Sequence, residues 1–213
     1  MLMKTVLCFG DSNTYGYNPK NRRRYTKMQR WPGILAAFLG SGYNILEEGL
    51  NGRTTDLDDP YEEGRSGLDY ILHWLPTAPD VDIALIMLGS NDLKSCFDRD
   101  AAKIARSAGK VAEMIRNHFL GRGIDTKIIL ISPPLLGEDI KSSPFYPDFD
   151  ENPLARSKRF ADEYYRVADE FGFIFFDAAD MTIPCELDKV HLMPDSHQAL
   201  AAALTDLINK LQE

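Results

Sequence analysis

Five short apolar runs, rich in β-branched and aromatic side chains, alternate along the chain with segments of helical periodicity. The runs cover residues 5–9, 43–46, 81–88, 127–131 and 173–176. They are too continuous for strands with one solvated face, which would alternate apolar and polar residues, so we expect strands covered on both faces. Such strands, when they alternate with helices, form right-handed βαβ units. The pattern therefore predicts an α/β fold with three layers, α/β/α, around a central parallel sheet.

Helical signals lie between these runs. Residues 31–39 carry a proline at the second position, which suits the first turn of a helix. Apolar residues recur at helical spacing over 104–119. Asn152, followed by proline, predicts the cap of another helix with an apolar side from Phe160 to Phe171, and the last helix follows Pro194.

Length, charge and cysteine content limit the classes of protein to which this chain can belong. A chain of 213 residues with 44% hydrophobic side chains fits one domain over residues 1–213. The net charge of −8 argues against a nucleic-acid partner. No apolar stretch approaches the ~20 residues that cross a bilayer, and no secretory signal is visible. The 3 cysteines, odd in number and far apart, are typical of a reducing compartment. We therefore expect a soluble, cytoplasmic protein with no membrane partner.

Two stretches, 56–67 and 133–152, are longer than ordinary connections between strands and helices. Both would leave the sheet on the side where an open parallel sheet binds ligands, which predicts a substrate rim. The aromatic residues Phe145, Tyr146 and Phe149 in the second stretch fit either that rim or a contact between copies of the chain in a homo-oligomer.

Ser12 is the candidate nucleophile. It follows Gly10 and Asp11 directly after the first predicted strand, where the free amides at a helix N-terminus can stabilise developing negative charge. One alternative is that Ser12 or Asn13 merely caps the helix. A phosphate-binding loop is a second alternative, but the charge of Asp11 opposes anion binding.

A serine needs a general base, and the chain has 4 histidines. His73 and His118 fall within predicted helices and are interpreted as structural. His191 follows the fifth strand, and Asp188 three residues earlier would fix its tautomer. His197 is the alternative base, although the helix that follows Pro194 would contain it. Asp188 could instead be a turn residue.

Gly52 and Asn91 are the candidate donors to a tetrahedral oxyanion, through a backbone N–H and a side-chain amide. Each alone resembles an ordinary turn residue. Together with the serine and the histidine, however, they each follow a different predicted strand at one edge of one sheet. Arg53, Lys94 and Phe97 lie close by in sequence and are either substrate contacts or packing residues.

The segments GDSNT, GLNGRTT, LGSND and DKVH resemble the four motif blocks of the SGNH (GDSL-type) hydrolases, in the same order and over nearly the whole chain. The resemblance implies a flavodoxin-like α/β/α domain. It also implies Ser12 as nucleophile, His191 as base and Asp188 as the partner of the base. The oxyanion hole would consist of the Ser12 N–H, the Gly52 N–H and the Asn91 side chain.

Within that family the chain is most similar to the short bacterial arylesterase and acetylesterase branch, on residues 8–12, 47–50, 53–55, 58–60 and 87–89. The resemblance implies cleavage of short acyl esters, in some members on acetylated carbohydrates, and in some members assembly through long loops. Glu48 departs from the family pattern, since many members carry Asn there.

Other readings of the sequence remain open. The same residues would serve an acyl-thioesterase or a lysophospholipase, and a non-enzymatic flavodoxin-like binding module would leave the motifs as turns. The chemistry needs no metal or organic cofactor. An acidic cluster lies within residues 56–63, but it lacks the alternating ligand pattern of a calcium-binding EF-hand.

Overall fold

A sheet of five parallel strands forms the centre of the computed structural model, which describes residues 3–146, 148–149 and 153–211. The strands are β1 (Lys4–Gly10), β4 (Tyr43–Gly49), β5 (Ile83–Met87), β6 (Lys127–Ser132) and β7 (Ile174–Asp177). Their spatial order is β4-β1-β5-β6-β7, which is the flavodoxin-like order. A small antiparallel ribbon of β2 (Tyr17–Asn18) and β3 (Arg23–Arg24), which the sequence does not predict, lies outside this sheet.

Two layers of helices cover the sheet. The helices α2 (Trp31–Leu39) and α7 (Pro194–Lys210) pack on one face. The helices α3 (Gly67–Trp74), α4 (Ala101–Leu120) and α6 (Phe160–Phe171) pack on the other. Alternate residues of β1 pack against the two helix layers. Val6 and Cys8 face the layer of α2 and α7, and Leu7 and Phe9 face the layer of α3, α4 and α6. The predicted three-layer α/β/α fold is confirmed.

Some boundaries differ from the sequence-based prediction. The three central strands are buried on both faces as expected, but β4 and β7 are half-exposed because they form the edges of the sheet. The helix predicted from Asn152 is two helices, α5 (Pro153–Ser157) and α6. Asn152 itself lies outside the described residues. Over the described ranges, no helix is long and apolar enough to cross a membrane.

The register of the sheet brings several loops to one edge. Gly10, Gly49 and Met87 lie side by side at the carboxyl ends of β1, β4 and β5. The short helix α1 (Ser12–Tyr15) packs against this edge so closely that a Cβ at Gly49 would lie 2.2 Å from the Tyr15 nitrogen. The loops that carry Ser12, Gly52 and Asn91 therefore leave the sheet as neighbours.

Candidate active site

Ser12 is the first residue of α1 and is buried at the end of β1. The carboxylate of Asp11 caps this helix by accepting a hydrogen bond from the Asn13 N–H at 2.9 Å. Gly16 ends it in the left-handed region, with φ of 84°. Because Asp11 is the cap, the Ser12 hydroxyl is available for another partner.

That partner is His191. The distance from its Nε2 to the Ser12 Oγ is 2.8 Å, and the distance from its Nδ1 to the Asp188 Oδ2 is 2.7 Å. The loop that carries both residues is closed on itself by hydrogen bonds from the Cys185 N–H to the His191 carbonyl and from the Lys189 N–H to the Cys185 carbonyl. The structure thus brings the serine, the histidine and the aspartate into one hydrogen-bonded chain.

The second oxygen of Asp188 is also occupied. Its Oδ1 accepts hydrogen bonds from the backbone N–H groups of Val190 and His191 and from the Cys185 thiol, at 3.0, 2.9 and 3.0 Å. Burial works to raise the pKa of Asp188, but the hydrogen bond and charge of His191, together with these donors, lower it to about 2. The aspartate is therefore ionised at neutral pH and can hold the imidazole in one tautomer.

Asn13 joins the serine-bearing helix to the histidine loop, a role that the sequence does not reveal. Its Oδ1 accepts from the Leu192 N–H at 3.0 Å, and its Nδ2 donates to the Val190 carbonyl at 3.4 Å. Two rings pack against the imidazole of His191, namely Tyr17 at 4.3 Å and Phe145 at 5.5 Å between ring centroids. These contacts fix the loop relative to Ser12.

Gly52 and Asn91 both line the cavity that contains Ser12 and His191. Gly52 has a φ of 74°, a backbone conformation that favours glycine. The Asn91 Nδ2 donates one of its two hydrogens to the Arg53 carbonyl at 3.0 Å, so the other hydrogen remains for a ligand. The two predicted oxyanion donors therefore share a wall with the predicted nucleophile.

A buried acidic residue connects the two loops of these donors. Asp92 accepts a hydrogen bond from the Thr55 N–H at 3.0 Å and pairs with Arg99 at 3.4 Å. Burial raises the pKa of Asp92 to about 7, although the bonds from Thr55 and the charge of Arg99 oppose that rise. Hydrogen bonds through Asp92 thus join the loop after Gly52 to the loop of Asn91.

The cavity has a volume of about 630 Å³ and is lined by both aromatic and polar side chains. Lys94 belongs to this lining and pairs with the buried carboxylate of Asp59 at 2.7 Å. Arg53 is only 2% exposed and is not part of the lining, and Phe97 is likewise not part of it. Of the three nearby residues considered from the sequence, only Lys94 faces the cavity.

The other histidines lie in different surroundings. His197 lies inside α7, is fully buried and accepts a hydrogen bond from the Trp31 N–H at 3.4 Å. Burial, together with the charge of His191, lowers the pKa of His197 to about 3, so its imidazole is neutral. His73 is exposed on α3, and His118 lies in the last turn of α4.

The acidic cluster of the first long loop stabilises that loop. The Asp58 carboxylate accepts hydrogen bonds from the backbone N–H groups of Gly64 and Ser66 at 2.9 and 3.3 Å. Asp56 pairs with Arg99 at 2.5 Å. Within the part of the chain that the structure describes, no group of three or more His, Cys, Asp or Glu side chains is arranged to hold a metal ion.

Known proteins are similar to this chain over almost its whole length. The model of the GDSL-like lipase/acylhydrolase family matches residues 8–201. Solved structures with the same fold include a carbohydrate acetylesterase from Sinorhizobium meliloti, with 35% identity, a TM-score of 0.90, and coverage of 98% of this chain and 99% of that one. No curated protein sequence matches the chain.

Two further solved structures are similar over the same extent. An aryl esterase from M. smegmatis has 30% identity and a TM-score of 0.90, and covers 98% of this chain and 99% of its own. A protein described as an arylesterase from Agrobacterium tumefaciens has 31% identity and a TM-score of 0.88, with the same coverage.

Proposed function

Since the chain belongs to the GDSL-like lipase/acylhydrolase family and is a serine esterase, we propose that Ser12, His191 and Asp188 form a catalytic triad that hydrolyses short-chain acyl esters. The observation that carries this proposal is the hydrogen-bonded chain from Ser12 through His191 to Asp188, on the wall of the 630 Å³ cavity. Family membership also excludes the reading as a non-enzymatic binding module.

In the first step the Ser12 Oγ attacks the ester carbonyl carbon while the His191 Nε2 accepts the hydroxyl proton. The carbonyl π electrons move to the oxygen, and a tetrahedral oxyanion forms. When this intermediate collapses, the bond from carbon to the alcohol oxygen breaks, and His191 gives its proton to the departing alcohol. The product is an acyl group on Ser12.

In the second step a water molecule attacks the acyl carbon and His191 accepts its proton. Collapse of the second intermediate breaks the bond to the Ser12 oxygen, which takes the proton back, and the carboxylic acid leaves. Asp188 remains ionised throughout and stabilises the imidazolium form of His191, which its lowered pKa supports.

Replacement of Asn91 by alanine tests the oxyanion hole. Loss of one such donor typically lowers kcat by about 10²–10³-fold, because the developing negative charge loses a preorganised hydrogen bond. We expect that loss for p-nitrophenyl acetate, with a circular dichroism spectrum like that of the wild type. Asn117→Ala, an exposed position on α4, is the matched control and should keep its activity. Unchanged kcat in Asn91→Ala would remove this residue from the oxyanion hole.

The cavity supports a small ester with an aromatic or polyhydroxy alcohol. Tyr17, Tyr61 and Phe145 offer aromatic surface, and Asn51 and Lys94 offer hydrogen bonds. The similar structures include an aryl esterase and a carbohydrate acetylesterase, which is consistent with either alcohol.

A chain-length series on p-nitrophenyl esters tests the acyl preference. We expect kcat/KM to fall at least about tenfold between acetate and octanoate, a loss of ~1.4 kcal/mol in transition-state binding. The same series on thioesters, and hydrolysis of a lysophospholipid, test the two other substrate classes. A preference for octanoate, for the thioester or for the lysophospholipid would overturn the short-chain oxygen ester as substrate.

Assembly and compartment are part of the same proposal. Phe145 and Phe149 both line the cavity, which favours their role as a rim over their role in a subunit contact. Assembly of a homo-oligomer through the long loops is tested by light scattering after size exclusion, and a purely monomeric protein would rule it out.

The free thiols of Cys8, Cys96 and Cys185 support the cytoplasmic location. The net charge of −8 supports a small-molecule partner rather than a nucleic acid.

A further inference from the structure

Arg53 connects the three loops that supply the oxyanion donors. We propose that Arg53 is a positioning residue, which sets the placement of the Ser12 and Gly52 amides and the Asn91 side chain relative to one another. This inference rests on the proposed function, because it concerns the oxyanion hole of the same reaction. In this role Arg53 does not contact the substrate, since the residue is 2% exposed and lies outside the cavity lining.

The guanidinium joins the ends of two neighbouring strands. Its Nη1 donates to the Gly10 carbonyl at 3.0 Å and to the Glu48 carbonyl at a shorter distance. Gly10 ends β1 two residues before Ser12, and Glu48 lies in β4 four residues before Gly52. One cationic group therefore holds the strand that leads to the nucleophile against the strand that leads to the glycine donor.

Two aromatic rings hold the guanidinium in its place. The Cζ of Arg53 lies 4.4 Å from the ring centroid of Phe9 and 4.4 Å from that of Tyr70. The Tyr70 hydroxyl donates to the Glu48 Oε2 at 2.6 Å, so the ring is itself fixed. Burial lowers the pKa of Arg53 to about 10, while the nearby Tyr70, Glu48 and Asp11 work to raise it, and the group remains cationic at neutral pH. Glu48, the departure from the family pattern, thus takes part in this arrangement.

The backbone of Arg53 completes the connection. Its N–H donates to the Leu50 carbonyl at 3.2 Å, which closes the turn that contains Gly52. Its carbonyl accepts the hydrogen bond from the Asn91 Nδ2 at 3.0 Å, and this bond orients the amide of Asn91. A displacement of Arg53 would therefore move the glycine donor and rotate the asparagine donor together.

Arg53→Lys is the variant that tests this role. Lysine keeps the positive charge and can reach one carbonyl, but it loses the planar group that packs against two rings and bonds to two carbonyls. Small misplacements of catalytic groups cost up to about 100-fold in rate, so we expect kcat for p-nitrophenyl acetate to fall about 10- to 100-fold with KM changed less than about threefold. The affinity for an alkylboronic acid, which mimics the tetrahedral intermediate through a bond to Ser12, should fall by a similar factor.

Arg116→Lys is the matched control. Arg116 also stacks on an aromatic ring, Phe173 at 4.7 Å, and donates to a backbone carbonyl, that of Phe171 at 2.6 Å, but it lies on α4 away from the cavity. We expect the two lysine variants to lose similar amounts of stability in urea, while only Arg53→Lys loses kcat. If Arg53→Lys does not fold, Tyr70→Leu removes one stacking ring and should lower kcat in the same direction, with KM again nearly unchanged.

The outcomes separate this inference from the proposed function. Wild-type kcat and boronate affinity in a folded Arg53→Lys or Tyr70→Leu protein overturn the positioning role, and so does an equal loss of kcat in Arg116→Lys. A rise in KM without a fall in kcat also overturns it, because that result indicates a contact with the substrate. A different result would overturn the proposed function, namely full esterase activity in Ser12→Ala.

Discussion

Ser12→Ala is expected to lower kcat for p-nitrophenyl acetate by a factor on the order of 10⁵ to 10⁶, which is the size of effect seen when a triad serine is removed. The variant has no atom that can form the acyl-enzyme bond, and the remaining donors can only assist attack by water. The change removes one buried oxygen beside His191 and leaves the backbone of α1 intact. We therefore expect an unchanged fold by circular dichroism.

Ser142→Ala is a suitable control for this variant, since Ser142 is exposed and its hydroxyl donates to the nearby Asp139 carbonyl at 2.8 Å. It should hydrolyse the ester at the wild-type rate. The preparation must be free of contaminating esterase. A kcat of Ser12→Ala within about tenfold of the wild-type value would falsify the assignment of the nucleophile.

His191→Ala should cause a loss of similar size, on the order of 10⁵ in kcat, because members of a triad act as a unit. Without the imidazole, no group accepts the proton of Ser12 or protonates the departing alcohol. The Asp188 carboxylate does not substitute as the base, because its hydrogen bonds run to residues 185–191 of its own loop and the imidazole lies between it and Ser12. The measurement is kcat and KM between pH 6 and 9.

His197→Ala is the matched histidine control. This variant leaves a cavity under α7 and deprives the Trp31 N–H of its acceptor, which should cost about 1–3 kcal/mol of stability. Its loss of kcat should be far smaller than that of His191→Ala. A folded but inactive His197→Ala protein, beside an active His191→Ala protein, would transfer the role of base to His197.

The apolar runs of the sequence were sufficient to predict the sheet. In a parallel sheet buried on both faces, the strands must be continuous in apolar residues, and their carboxyl ends meet at one edge. The positions of Ser12, Gly52, Asn91 and His191 after different strands therefore predicted that they would lie near one another. The half-exposed β4 is not predictable from the apolar runs, because the edge position of a strand depends on strand order. The division between α5 and α6 is not predictable either, because residues 158–159 include no Pro or Gly to mark it.

The contacts that hold the site together were beyond sequence reasoning. The Asn13 side chain bonds to Val190 and Leu192, which are 177 and 179 residues away along the chain, and no local pattern indicates such a pairing. The wide spacing of the cysteines indicates no partner for Cys185, yet its thiol donates to Asp188. The sequence position of Arg53 fits a substrate contact or a packing residue, and its burial against Phe9 and Tyr70 distinguishes the two.

The proposed activated nucleophile of this protein is the hydroxyl of Ser12. Mass spectrometry after reaction with a p-nitrophenyl phosphonate tests it most directly, because the phosphonate reacts with an activated serine and remains bonded to it. In the wild type we expect one adduct per chain, on the peptide that contains Ser12, together with full loss of esterase activity. In His191→Ala we expect no adduct. An adduct on a different residue, or loss of activity with Ser12 unmodified, would contradict it.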